Sequence, residues 1–443
     1  MLFQREVETM SRKDLKQLQG MRLAETVERV FNQVPFYHKK LKEKGVHPEK
    51  IKTVEDVKAL PFTQKKDLWD QYPFGLFAVD MKELARIHGS SGTKGKPTIV
   101  GYTRRDLKNW ADMCARAIVT AGGRSGDLFH NAYGYGLFTG GLGLHDGGER
   151  LGTITIPVSG GNRSRQVSLI QDFKPRGIAG TPSFVLSLAE TMKSKGWDPR
   201  KSSLEYGILG AEPWSEEMRH TLEETWGMEA LDIYGLSEVM GPGVSIECRE
   251  VKDGLHIAED HFLVEVIHPK TLEPLPEGET GELVFTSLTK EALPVLRYRT
   301  GDIASLNREP CRCGRTHTRM SRIKGRLDDM LVIRGVNLYP TEIESVVLEL
   351  EEVSPYYQLV IAKNGSLDRL IVEVEVSGSF VSRLGGTFQP EHRLCDELSL
   401  CLQNKLKESL FLSAEVVLKE PLSLPRSEGK AIRVLDRRGL ETL

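Results

Sequence analysis

From residue 84 to about 300, short apolar runs alternate with amphipathic helical patterns. ITI at 154–156, GILG at 207–210 and LDIYG at 231–235 are separated by stretches such as RQVSLIQDF and PSFVLSLAETMKS. Runs this short bury their surface only by pairing into sheets, and each helical stretch offers one apolar stripe to cover them. The alternation therefore predicts a large α/β domain with layered sheets. Upstream, SRKDLKQLQGMRLAETVERVFNQ at 11–33 spaces its apolar side chains at helical intervals and predicts a surface-packed helix. At 244–286 the pattern changes to strand, turn, strand, with Lys-Asp-Gly and Pro-Glu-Gly-Glu as turn chemistry, which predicts an antiparallel, β-barrel-like subregion. GRLDDMLVIRG at 325–335 introduces a segment with its own strands and helix, so we expect domains over 1–326 and 327–443, the second small and α+β. SGSFVSRLGGTF at 377–388 reads as a flexible loop.

Composition removes several function classes. Sixty Lys plus Arg against 62 Asp plus Glu leave a net charge of −2, so no excess of positive charge exists to hold a nucleic acid. No run approaches the roughly 18 apolar residues of a membrane-spanning helix, and the first twenty residues carry acids without an apolar core; both fit a cytoplasmic protein without a membrane partner. Six cysteines in 443 residues are too sparse for a disulfide framework, and only Cys311 and Cys313 are close enough to share a task. Cys114, Cys395 and Cys401 fall in helical patterns and read as small packing residues.

IHGSSGTKGKP at 87–97 is the densest chemical signal. Its glycines let the backbone approach a phosphate, while amides, the hydroxyls of Ser90, Ser91 and Thr93, and Lys96 supply donors and charge. It is not a Walker loop: Gly89 and Gly95 enclose five residues instead of four, and Pro97 stands where the magnesium-binding hydroxyl would be. In YGLSE, Tyr234 offers an aromatic face and Glu238 a carboxylate for Mg²⁺. Asp302, in a turn after the cationic RYR, can accept ribose hydroxyls, and Lys430 in PRSEGKAIRV can bring a point charge to a phosphate. Each segment alone has a plain alternative: a connector loop, a helix cap, a turn former, a solvated lysine.

CRCGRTH at 311–317 follows Cys248 and His256, and three thiolates with one imidazole make a closed tetrahedral zinc site of structural type. Cys248, His256, Cys311 and Cys313 are the candidate ligands, with His261 and His317 as alternative nitrogen donors.

Together IHGSSGTKGKP, GAEPW, YGLSE, TGD, GRLDDMLVIRGVN and PRSEGK, in this order, resemble the acyl-adenylate-forming superfamily, and within it the phenylacetate-CoA ligases. The resemblance runs over nearly the whole chain, through NAYGYGLFTGGLG, TSLTKEALPVLRYRT and RGVNLYP. It implies an enzyme that adenylates an aryl acid with ATP and Mg²⁺, releases pyrophosphate, and transfers the acyl group to coenzyme A. It also implies residue roles. Ser90, Ser91, Gly92, Thr93, Gly95 and Lys96 form the phosphate loop. Gly210, Ala211 and Glu212 lie along the adenine, which Tyr234 flanks, with Gly235 and Ser237 in the same nucleotide site. Glu238 holds Mg²⁺, Asp302 and Arg326 take the ribose, and Lys430 is the adenylation catalyst. Asp328 is the hinge about which the C-terminal domain rotates between half-reactions. Tyr135 and Phe138 are the preferred acyl-pocket members, with Gly141 and Pro242 beside them; the glycines around Tyr133 and Tyr135 suit a flat slot for an aromatic ring. A homodimer is the family's suggestion. Transfer to a carrier-protein phosphopantetheine instead of coenzyme A, and a non-catalytic nucleotide- or zinc-binding module, are the rival readings; a P-loop kinase fails on loop spacing.

Overall fold

The computed structural model describes residues 1–90, 97–334, 336–364, 367–410, 412–427 and 431–438. The first periodic segment is the helix Arg12–Gln33; Ser11 Oγ caps it by accepting the Asp14 N–H at 3.1 Å, and Leu15, Leu23, Val27 and Val30 face inward. The alternating region builds a nine-stranded sheet. Its parallel part runs, in spatial order, Ile154–Ile156, Leu128–Asn131, Gly177–Gly180, Tyr206–Gly210 and Glu229–Leu236. Neighbouring residues on these strands point to opposite faces. Ala179, Ile208 and Leu231 pack with Trp110, Ile118 and Leu144 from the helices Arg104–Thr120 and Thr139–Leu151, while Ile178, Leu209 and Ala230 pack with Val167, Phe184 and Leu222 from the helices Arg163–Phe173, Pro182–Ser194 and Glu216–Trp226. Helices thus cover both faces, which is why these strands lack alternating polar positions.

Strand order reverses beside Leu128–Asn131: the chain steps outward to Ile154–Ile156 and then crosses back to Gly177–Gly180. Such a reversal opens a crevice at the carboxyl ends of the strands, where their loops diverge. The strand–turn–strand region divides in two. Gly241–Glu247 and Leu255–Ile257 extend the large sheet antiparallel, followed by Arg319–Met320 and Leu306–Asn307. Phe262–Ile267, Gly281–Ser287, Tyr298–Ala304 and Gly325–Arg326 form a separate four-stranded antiparallel sheet.

From Leu331 to Leu418 a second hydrophobic core gathers under a mixed sheet of Glu415–Lys419, Leu367–Val376, Val353–Asn364 and Val434–Asp436, against the helices Pro340–Leu348 and Arg393–Leu410. Two local expectations are corrected here. The glycine- and serine-rich stretch after 377 holds a short helix, Gly378–Arg383, capped by Ser377 and anchored by Phe380 at 2% exposure; one buried ring outweighs the flexible composition around it. Cys401 is exposed, because the buried ridge of its helix runs through Cys395, Leu398, Leu402 and Leu406. Among the described residues no helix is long and apolar enough to cross a membrane.

The glycines of Thr139–Leu151 bring helices together and do not open a slot along this helix. A Cβ on Gly147 would stand 2.3 Å from Cys114 Cβ, and one on Gly143 2.4 Å from the Trp110 ring. Gly147→Ala is expected to cost about 1–3 kcal/mol by overpacking this contact, read as a lower midpoint of urea denaturation; an unchanged midpoint contradicts the packing.

Candidate nucleotide cleft and metal centre

The carboxyl ends of the parallel strands carry the residues singled out above. At the end of Tyr206–Gly210, a Cβ on Gly210 would lie 2.2 Å from the Ile233 carbonyl, so only glycine lets the two strands close at this level. Ala211 follows with φ of 68°, a left-handed conformation that turns the chain sharply over the strand ends. Ala211, Glu212, Tyr234, Gly235, Asp302 and Arg326 line one cleft. Asp302 lies on the strand Tyr298–Ala304 and not in a turn, because Gly301, with φ of 76°, kinks the strand without ending it. The Tyr234 hydroxyl donates to Asp302 Oδ2 at 2.7 Å, and Arg326 Nη1 stands 3.2 Å from Oδ1. Burial raises the Asp302 carboxyl above the ordinary range, and the Arg326 charge and the Tyr234 hydroxyl pull it back. Arg326 Nε also donates to Asp328 Oδ1 at 3.0 Å, and Asp328 is half-exposed.

Ser237 and Glu238 follow the strand Glu229–Leu236, and both are buried. Ser237 Oγ is 3.1 Å from Thr139 Oγ1, and Glu238 adds its charge to the field at Tyr298 and Asp302. Sequence reasoning missed Lys290 beside them. Its ammonium sits 3.8 Å over the Tyr102 ring, and burial pushes its pKa down to about 8 while Asp106 and Glu238 pull it up. No motif surrounds it; TSLTKEALP carried only a family likeness.

Ser91, Gly92, Thr93, Gly95, Lys96 and Lys430 lie outside the described residues. The residues that flank this segment pair: Ser90 N–H donates to the Thr98 carbonyl at 3.0 Å, and Thr98 N–H to Ser90 Oγ at 3.1 Å. Glu212 has a task its motif did not announce. Its carboxylate accepts Ser183 N–H and Ala431 N–H, each at 2.8 Å, and so joins the large sheet to the residue after Lys430. Burial raises its carboxyl, against the Arg433 charge and these two N–H groups.

The acyl-pocket candidates separate. Asn131 Nδ2 donates to the Tyr135 hydroxyl at 2.9 Å and to the Gly141 carbonyl at 2.8 Å, and His145 Nδ1 lies 3.2 Å from the same hydroxyl. A Cβ on Gly141 would meet the Gly134 carbonyl at 2.6 Å, so added bulk there displaces the loop that carries Tyr135. Phe138 is 40% exposed at the start of its helix, its ring lying against Gly140. The Pro242 carbonyl accepts the Trp110 indole N–H at 2.9 Å.

Cys248, His256, Cys311 and Cys313 converge, their ligand atoms all within 4.8 Å of one another. Cys248 Sγ to Cys311 Sγ is 3.8 Å and Cys313 Sγ to His256 Nε2 is 3.4 Å, the edge lengths of a tetrahedron with bonds of about 2.3 Å to sulfur and about 2.0 Å to nitrogen. The Cys313 thiol is held far down, first by the hydrogen bond from Cys248 and, against burial, by His256. The alternative donors are occupied: His317 sits between the Ile257 and Val7 carbonyls, and His261 between Thr289 and Asp260.

Residues 21–289 match the model of the AMP-binding enzyme family and residues 335–438 that of the AMP-binding enzyme C-terminal domain. The chain is 53% identical to phenylacetate-coenzyme A ligase of Thermus thermophilus, covering 99% of this chain and 100% of that one. It is 48% identical to phenylacetate-coenzyme A ligase of Escherichia coli, covering 98% and 97%. A 2-hydroxyisobutyryl-CoA ligase, 29% identical over 98% of this chain and 92% of its own, superposes with a TM-score of 0.91 in its postadenylation state with 2-HIB-AMP. In the thioesterification state, with 2-HIB-AMP and CoA, the score falls to 0.71 at the same coverage. With motifs, cleft and similarity in agreement along its length, the chain belongs to the AMP-binding enzyme family, on the branch of the phenylacetate-coenzyme A ligases.

Proposed function

We propose that this chain is an acid-thiol ligase that activates an aryl acid, phenylacetate foremost, as its acyl-AMP and passes the acyl group to coenzyme A. The observation that carries this reading is the Tyr234–Asp302–Arg326 cluster in a cleft at the strand ends of a chain so similar to phenylacetate-coenzyme A ligases. A carboxylate is a poor electrophile. Its oxygen attacks the α-phosphorus of ATP, the bond to pyrophosphate breaks, and the acyl carbon now carries AMP as a leaving group. The thiol sulfur of coenzyme A then attacks that carbon, loses its proton, and the bond to AMP breaks.

Each oxygen of Asp302 has a second lone pair beyond the bond it makes to Tyr234 or Arg326, so the carboxylate keeps acceptors for two ribose hydroxyls. Gly210, Ala211, Tyr234 and Gly235 provide a flat wall for the adenine. The phosphate loop from Ser90 to Lys96 holds the triphosphate, and Lys430 brings positive charge to the α-phosphate where negative charge crowds. Glu238, a buried carboxylate beside this cleft, fits Mg²⁺. When bound, Mg²⁺ neutralises phosphate charge and eases the departure of pyrophosphate. Asp328 is the hinge between a domain of 1–326 and a mobile one of 327–443. Tyr135, through the Asn131 network, borders the acid. Cys248, His256, Cys311 and Cys313 fit a structural zinc ion that ties the 308–318 loop to the edge of the large sheet. A cytoplasmic setting and a homodimer belong to the same reading.

With ATP, Mg²⁺ and phenylacetate, AMP and pyrophosphate are expected to accumulate in turnover only when coenzyme A is added, and Lys430→Ala abolishes both. Acid-dependent pyrophosphate exchange without turnover on coenzyme A points to a carrier-protein acceptor, and no exchange with any aryl acid contradicts the reading. Tyr234→Phe, which removes one donor from a buried carboxylate, is expected to raise the KM for ATP about fivefold to tenfold; an unchanged value removes Tyr234 from the nucleotide site. Metal analysis of protein purified without chelator is expected to find one zinc per chain, lost in Cys311→Ala. Zinc-free wild-type protein refutes the site.

A further inference from the structure

Arg426 stands four residues before Lys430, at the seam between the large sheet's helices and the C-terminal core. Its side chain is 8% exposed, and its guanidinium is shared between two carboxylates. Nη1 and Nη2 each reach Glu375 at 2.7 Å, while Nε and Nη2 reach Glu190 at 3.0 and 3.2 Å. The plane lies 3.4 Å over the Tyr356 ring. Glu375 and Tyr356 belong to the C-terminal sheet, whereas Glu190 belongs to the helix Pro182–Ser194 that covers the large sheet.

The two carboxylates are not equivalent. Glu375 is 1% exposed and also accepts the Leu422 and Leu424 N–H groups, so it stays satisfied wherever the C-terminal unit goes. Glu190 is about a third exposed, so water takes over its solvation when Arg426 leaves. The contact to Glu190 is strong in geometry, being bidentate and charged on both sides, yet inexpensive to release. Further contacts cross the same seam: Ala431 N–H to Glu212, and Ser215 N–H to Glu344 at 2.9 Å. Both flanks of Lys430 are therefore fixed to the large α/β unit. This arrangement is the one that scores 0.91 against the postadenylation state of 2-hydroxyisobutyryl-CoA ligase, and a rotation toward the arrangement that scores 0.71 has to break contacts across this seam.

We propose that Glu190 is a positioning residue which, through Arg426, latches the C-terminal unit in the adenylation arrangement and releases it before the thiol attacks. This rests on the ligase reading above. Glu190 touches neither substrate nor reacting atoms; it acts by setting how the protein divides its time between two arrangements. Removing the latch therefore changes the ratio of the half-reactions and not the chemistry of either.

The test measures the half-reactions separately in the full-length enzyme: acid-dependent pyrophosphate exchange, and transfer from supplied phenylacetyl-AMP to coenzyme A. Glu190→Gln is expected to shift the ratio toward thioester formation by about fivefold to tenfold, and Glu190→Lys, which repels Arg426, by more. The thermal midpoint of Glu190→Gln should stay near wild type, since the side chain is partly solvated. Wild-type protein without exchange fails the ligase reading itself. Active wild type with variants that leave the ratio unchanged, or lower both rates in equal proportion, overturns the latch.

Discussion

A buried carboxylate is unfavourable unless its oxygens are occupied, and Asp302 meets that requirement with two partners that are remote from each other in the chain. Tyr234 comes from the large sheet, while Asp302 and Arg326 come from adjacent strands of the separate antiparallel sheet. The two sheets must meet at one level for the hydroxyl to reach Oδ2, and the strand pairing that places Asp302 opposite Arg326 fixes the second oxygen. The arrangement that satisfies the charge also sets the width of the cleft. Arg326 extends it by binding Asp328, so the hinge candidate is attached to the lining of the cleft.

Two other carboxylates relate the large sheet to the C-terminal core in the same manner. Glu212 and Glu344 each accept a backbone N–H from across the seam, and Arg433 lies between them, 3.5 Å from Glu344. Such bonds are directional and few, and beside them Tyr356 and Leu348 of the C-terminal unit pack against the apolar cluster of the large sheet's outer helices. A boundary of this kind transmits position while keeping the energy of separation low. The Cys248–His256–Cys311–Cys313 cluster lies at the other end of the sheet, where small strands and a loop need a stronger constraint than two-residue ladders provide.

Much of this was legible in the sequence, because local chemistry leaves local marks. The helix at 11–33 and the α/β alternation each have a periodicity that reports the element directly, and the spacing of CRCGRTH marks its two cysteines as close enough to share a task, whereas YGLSE gained weight only beside the other motifs. Asp302 and Arg326 were legible as residues, but not the strand that carries Asp302, since a glycine inside a strand looks like a turn. Arg426 and Glu190 were not legible as a pair. They are separated by 236 positions, and nothing in a helix pattern or a glycine-rich loop indicates which distant carboxylate a guanidinium will meet. The helix after Ser377 was hidden for a related reason, because what orders it is the burial of Phe380 in a core assembled from remote strands.

The central claim is that the Asp302 carboxylate, held by Tyr234 and Arg326, is the anchor of the nucleotide. The most direct measurement is a crystal structure with a non-hydrolysable phenylacetyl-adenylate mimic. The account predicts both ribose hydroxyls within hydrogen-bond distance of Asp302, with the adenine against Tyr234. A mimic bound with its ribose elsewhere, and Asp302 engaged only by protein groups, would contradict it.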